Sequence, residues 1–82
     1  MLTVNSVKHT KSSMLAVRLS NGVTGLFDVS AYTDKGFFKE LANENYLKLV
    51  KIDSSGMGIC WPNEQDFSAD TLEAELVDNE SD

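Results

Sequence analysis

The stretch Trp61-Pro62-Asn63-Glu64-Gln65-Asp66 gathers the side chains best suited to hold something. A tryptophan beside a proline makes a stiff apolar platform, and Asn63 and Asp66 add directional polar groups. Trp61, Pro62, Asn63 and Asp66 are therefore the candidate binding set, for a small ligand or a partner peptide. The same letters also have a plainer structural meaning, and the sequence favours it. Trp61 would fill the core, and Pro62 would end a strand because it has no N–H for the ladder. Asn63 and Asp66 would bond backbone groups in the turn.

Three carboxylates, Glu64, Asp66 and Asp70, fall within this region. Such a set could shuttle a proton or hold a divalent cation. The spacing lacks the regular oxygen ligands and the sharp-turn glycine of a calcium loop. Helix capping accounts for Asp70 and solvation for Glu64, so no metal and no cofactor is expected. His9 is the only histidine and Cys60 the only cysteine. A serine, threonine or Cys60 nucleophile would need a base, and nothing in the spacing brings His9 to one. Cys60 reads as a small core hydrophobe in a strand, His9 as a turn residue. No glycine-rich phosphate loop is present. The sequence offers no catalytic set, and an enzyme is not expected.

The 82 residues make one small domain, expected over 1–77, whose core is marginal unless supplemented. A lone cysteine excludes an internal disulfide, which suits a reducing compartment. No apolar leader follows Met1, and no apolar run approaches the roughly 18 residues of a membrane span. The expectation is a cytoplasmic protein with no membrane contact. The net charge of −6 is unevenly spread. All seven cations lie in residues 1–63, against Asp28, Asp34, Glu40, Glu44 and Asp53. Residues 64–82 carry only acids: Glu64, Asp66, Asp70, Glu73, Glu75, Asp78, Glu80 and Asp82. Direct nucleic-acid binding needs a basic surface and is not expected. A basic protein partner suits the acidic quarter, while a solvated helix face is the plainer reading.

The elements that position these residues can be read in order. A first strand falls within 2–9, with imperfect alternation, and His9 to Ser13 turns. Met14 to Ser20 alternates cleanly, with Leu15, Val17 and Leu19 on one face. Asn21-Gly22 predicts a type I′ hairpin turn, because both residues tolerate positive φ. Val23 to Val29 returns, and Gly25 marks a close approach or a bulge. After a turn at Ser30 to Tyr32, Asp34 is placed to cap a short helix whose apolar face is Phe37, Phe38 and Leu41. Asn43 suits its end, and Tyr46, Leu47 and Val50 predict one more helical turn. Leu49 to Asp53 and Met57 to Trp61 form a second hairpin around Ser54-Ser55-Gly56. Ser68 or Asp70 caps a last helix near 69–77, with Asp70 and Glu73 at capping-box spacing. Acids crowd the C-terminal pole of that helix, so the tail 78–82 is expected to fray. The predicted fold is α+β: an antiparallel or mixed sheet of about five strands, from two hairpins and the N-terminal strand, with short helices on one face.

Phe27-Asp28-Val29, Gly36-Phe37-Phe38, Tyr46, Val50-Lys51-Ile52-Asp53 and Ile59-Cys60-Trp61-Pro62-Asn63, in that order, carry a resemblance. The chain resembles a bacterial family of small proteins known as domain of unknown function twenty-four forty-two. The likeness extends over nearly the whole chain, and W-P-N followed by Asp66 is its sharpest part. The family pattern has glycine where this chain has Glu64, which implies a different turn here if that glycine serves positive φ. The resemblance implies a fold and a broad class, and it supplies no catalytic residue. Some family members continue into a helix-turn-helix, and others occur beside toxin-like partners. For this chain a DNA-binding half would have to be another polypeptide.

The leading expectation is thus a protein-interaction module of regulatory, antitoxin-like type without catalysis. Its partner would be a basic protein, toxin-like or helix-turn-helix. A small-ligand domain using a pocket near Trp61 is the alternative, and an accessory subunit of an enzyme comes last. A homodimer through an open strand edge suits any of these.

Overall fold

The structure, a computed structural model, describes residues 1–77. The acidic tail expected to fray, 78–82, lies outside the described residues. The fold is α+β, as the pattern predicted, but the sheet is divided. Strands β1 (Val4–Lys11), β2 (Met14–Leu19) and β3 (Thr24–Asp28) form one antiparallel sheet in that order. Strands β4 (Lys51–Ile52), β5 (Gly58–Cys60) and β6 (Asp66–Ser68) form a second. The single five-stranded sheet is thereby corrected to two three-stranded ones. The Val4 N–H donates to the carbonyl of Gly56, in the turn between β4 and β5, at 2.9 Å, a contact that does not extend into a ladder. Strand β4 is only two residues long, which is too short to carry the pairing further.

The first sheet follows its hydrophobic pattern. Leu15, Val17 and Leu19 alternate into the core from β2, and Phe27 joins them from β3. Strand β1 runs two residues further than predicted. His9 lies within it opposite Leu15, and the turn is confined to Ser12 and Ser13. At the second turn Asn21 does not take positive φ; Gly22 alone does, at 89°. The Gly22 N–H donates to the Leu19 carbonyl, and Leu19 N–H to Val23 O. The turn is therefore not type I′. Asn21 serves by its side chain instead, accepting from Val23 N–H and donating to Glu73 at 2.8 Å.

A 3-10 turn over Val29–Ala31 leads to a 3-10 helix over Gly36–Ala42 where an α-helix was expected. Lys35 precedes it without a side-chain cap, and Asp34 does not cap it. Leu41 is buried and Phe38 half-buried, but Phe37 turns outward, since three residues per turn cannot align 37 with 41. Helix α1 (Glu44–Leu47) follows, capped by the Asn43 side chain on Asn45 N–H. Helix α2 (Ala69–Glu75) is capped by Ser68, whose hydroxyl accepts from Thr71 N–H. The Asp70–Glu73 box is not formed. After α2 the chain closes on β3: Leu26 and Val77 exchange two backbone hydrogen bonds, of 2.8 and 2.9 Å. Gly25 allows it, since a Cβ there would meet Val77 O at 2.5 Å.

Strand β6 was not anticipated, yet it carries the centre of the core. Its one apolar residue, Phe67, meets Phe27 at 4.8 Å between ring centroids, Tyr32 at 4.9 Å, Phe38 at 5.2 Å and Trp61 at 5.9 Å. Edge-on and stacked geometries both occur, as ring quadrupoles favour. Sheets and helices thus meet at one aromatic cluster. No helix among the described residues is long and apolar enough to cross a membrane.

Candidate functional site

The Trp61–Asp66 turn is set by β5 and β6. Trp61 N–H donates to Gln65 O, and Glu64 N–H to Trp61 O, closing the loop on itself. Trp61 is 2% exposed, and its indole N–H donates to Leu47 O at 3.0 Å. Its ring offers no open face to a ligand. Pro62, Asn63 and Asp66 are exposed, so the structure does not gather the four candidate residues around one cavity. It divides them into a buried anchor and an outer rim.

Glu64 takes φ 77°, the left-handed region. The turn that a glycine would serve is thus kept, and the non-glycine residue is held in it, contrary to the different turn expected.

The residue the sequence reading passed over is Gln65. It is 1% exposed, and every bond its amide makes is internal. Tyr46 donates to its oxygen at 2.7 Å. Its nitrogen donates to Phe37 O at 3.2 Å and to Glu40 at 3.1 Å. Asn63 extends the network: its N–H donates to the Tyr46 oxygen, and its amide to both Glu40 oxygens at 2.8 and 2.9 Å. These residues come from three separate places in the chain. They pin the 3-10 helix and α1 onto the β5–β6 turn, a clasp of satisfied polar groups. No local signal announces Gln65, because its partners lie 19 to 28 positions away.

Two surface cavities lie elsewhere. One, of about 280 Å³, is lined by Ser12, Ser13, Ser30, Thr33, Leu41, Ala42 and Glu44. His9 borders Glu44, with Nε2 3.3 Å from the carboxylate and 2.9 Å from Ser12 O. Beside it Ser13 donates to Asp28 at 2.6 Å and Ser30 N–H donates at 2.9 Å. These two bonds, the Ser13 hydroxyl foremost, hold the Asp28 carboxyl below its ordinary range against a small opposing burial effect. Tyr32 is pushed up by its hydrogen bond to Glu75 and by burial. The other cavity, of about 420 Å³, lies on the outer face of the first sheet. Cys60 is half-buried. Glu64, Asp66 and Asp70 are not drawn together, and no group of three potential ligands forms a metal site among the described residues.

The clasp gives physical roles to Trp61, Pro62 and Asn63: a buried indole, a strand stop, and an asparagine whose side chain holds Glu40 and whose backbone N–H holds Tyr46, while Asp66 stays exposed outside it. Residues 4–78 match a family described as protein of unknown function (DUF2442). The chain belongs to this family. No curated protein and no solved structure matches it. In this DUF2442 chain Trp61 and Asn63 thus hold the fold, with Pro62 and Asp66 left to solvent.

Proposed function

We propose that this DUF2442 chain is a protein-interaction module of regulatory, antitoxin-like type, working without catalysis. One observation carries the reading. Phe37 is 59% exposed while its carbonyl is fixed by buried Gln65, so an apolar ring stands beside the clasp. Exposed Glu40, Glu64 and Asp66 border that clasp. An exposed aromatic on an anchored backbone, next to a clasp with exposed carboxylates, suits a basic protein surface with an apolar recess. The rim residues Pro62, Asn63 and Asp66 would lie at its edge. The buried indole supports no ligand platform, so the small-ligand reading gains nothing from the geometry.

The test is capture of partners from native-host lysate with the wild-type chain and with Phe37→Ala and Glu64→Lys variants, at low and high salt. A basic protein held by the wild type, released by salt and lost from both variants would support the reading. Equal capture by all three chains would remove this face from the interaction. Recovery of bait alone at low salt would count against the module itself.

A further inference from the structure

The outer face of the first sheet, turned away from the core, carries a cluster that the preceding reading does not use. Arg18 on β2 pairs with Ser6 on β1 and with Thr24 on β3. These three form one row across the sheet, two hydroxyls flanking a guanidinium. Lys8 pairs with Ala16 in the next row, diagonal to Arg18. Diagonal neighbours stand roughly 7–8 Å apart at the backbone, so both cationic heads can reach one group between them. The small Ala16 side chain leaves space there, in the cavity of about 420 Å³ that Ser6, Lys8, Arg18 and Thr24 also line.

The electrostatics are local and uncompensated. Residues 1–27 hold Lys8, Lys11 and Arg18 and no acid, in a chain of net charge −6. Neither Lys8 nor Arg18 makes an ion pair among the described residues. Asp28 shares the face opposite Met14, beyond the Ala16 row, and its carboxylate already accepts from Ser13 and Ser30.

We infer that this face binds an oxyanion of the phosphate-monoester class. The Arg18 fork suits two phosphate oxygens, Lys8 supplies a point charge, and the Ser6 and Thr24 hydroxyls supply further donors. The cavity exceeds what phosphate fills, leaving room for a small organic remainder. This site shares no residue with the Phe37 face and stands or falls independently of it.

The experiment follows amide nitrogen–proton correlation spectra of the full chain in a low-salt, phosphate-free buffer. Probes are inorganic phosphate and glycerol phosphate, with glycerol, sodium chloride and a glutamate peptide as controls. Saturable shifts confined to Ser6, Lys8, Ala16, Arg18, Thr24 and Gly25 are expected. Arg18→Gln should weaken binding roughly tenfold or more, with the thermal midpoint unchanged. Tighter binding of glycerol phosphate than of inorganic phosphate would place an organic ester in the groove; equal binding would make free phosphate sufficient. Shifts that never saturate and spread to Lys35, Lys39 and Lys48 would overturn the assignment. So would wild-type affinity in both Arg18→Gln and Lys8→Gln, or stronger binding of the glutamate peptide.

Discussion

Tyr46 donates its phenolic hydrogen to the side-chain oxygen of Gln65 at 2.7 Å, and its oxygen accepts from the Asn63 backbone at 2.8 Å. One hydroxyl thereby satisfies two groups on the β5–β6 turn. Tyr46→Phe keeps the ring and removes only that oxygen. The Gln65 oxygen is too buried to recruit water, so the loss should approach the cost of an orphaned polar group, about 1–3 kcal/mol. Urea unfolding should show a lower midpoint at unchanged slope. A shift worth less than about 0.5 kcal/mol would mean that the clasp is not under this tension.

Glu64 occupies the left-handed region at φ 77° and its side chain is exposed. A non-glycine residue there is disfavoured by about 1–2 kcal/mol. Glycine removes that strain but adds about 0.5–1 kcal/mol of unfolded-chain freedom. Glu64→Gly should therefore stabilise the fold by roughly 0.5–1 kcal/mol, read as a raised urea midpoint. A lowered midpoint would show that the carboxylate makes a contact outweighing the backbone strain.

Much of the fold was legible because each readable segment obeyed one local rule. The alternation of Leu15, Val17 and Leu19 fixed β2 and its buried face. Gly25 marked a close approach, which Val77 makes. What escaped were features set by distant partners. Strand β6 is three residues with one apolar side chain between an acid and a serine, so no periodicity announces it, yet Phe67 sits where four other rings converge. Gln65 looked like a spacer because its partners lie 19 to 28 positions away. Asn21-Gly22 suggested the wrong turn, because the pair was read for backbone tolerance while Asn21 is used for its side-chain bonds to Val23 and Glu73. The two-residue β4 looked longer in sequence because Leu49 and Val50 are apolar, although Leu49 is exposed.

Gly58 is the second place where backbone approaches backbone. A Cβ there would stand 2.5 Å from Phe67 O and 3.2 Å from Ser68 Cα. Neither is the end of a flexible side chain, so Gly58→Ala must push β5 and β6 apart. Overpacking of this kind costs typically about 1–3 kcal/mol, a large share of what so small a fold has. The strain falls on Phe67, so the ring cluster should loosen too. Reduced near-ultraviolet circular dichroism together with a lower thermal midpoint is the expected result. An unchanged aromatic signal would show that the strands separate without disturbing Phe67.

Ser13 and Asp28 give the fold an acid limb whose sign follows from their hydrogen bond. The Ser13 hydroxyl, then the Ser30 N–H, hold the Asp28 carboxyl below its ordinary value of 3.8. A depressed folded pKa means that the unfolded chain binds the proton more readily. The resulting stability is complete above the ordinary value and is lost as pH falls through the depressed one. Asp28 is only half-buried, so screening keeps the effect modest. Asp53 is lowered in the same way by Ser55 and remains in every variant, so the comparison isolates one pair. Thermal melts between neutral pH and the acid range should show wild type losing more stability than Ser13→Ala as Asp28 protonates. Ser13→Ala should start lower at neutral pH and converge on the wild type in acid. Two curves that stay parallel throughout would assign the lost stability to the serine's packing and leave the Asp28 carboxylate out of it.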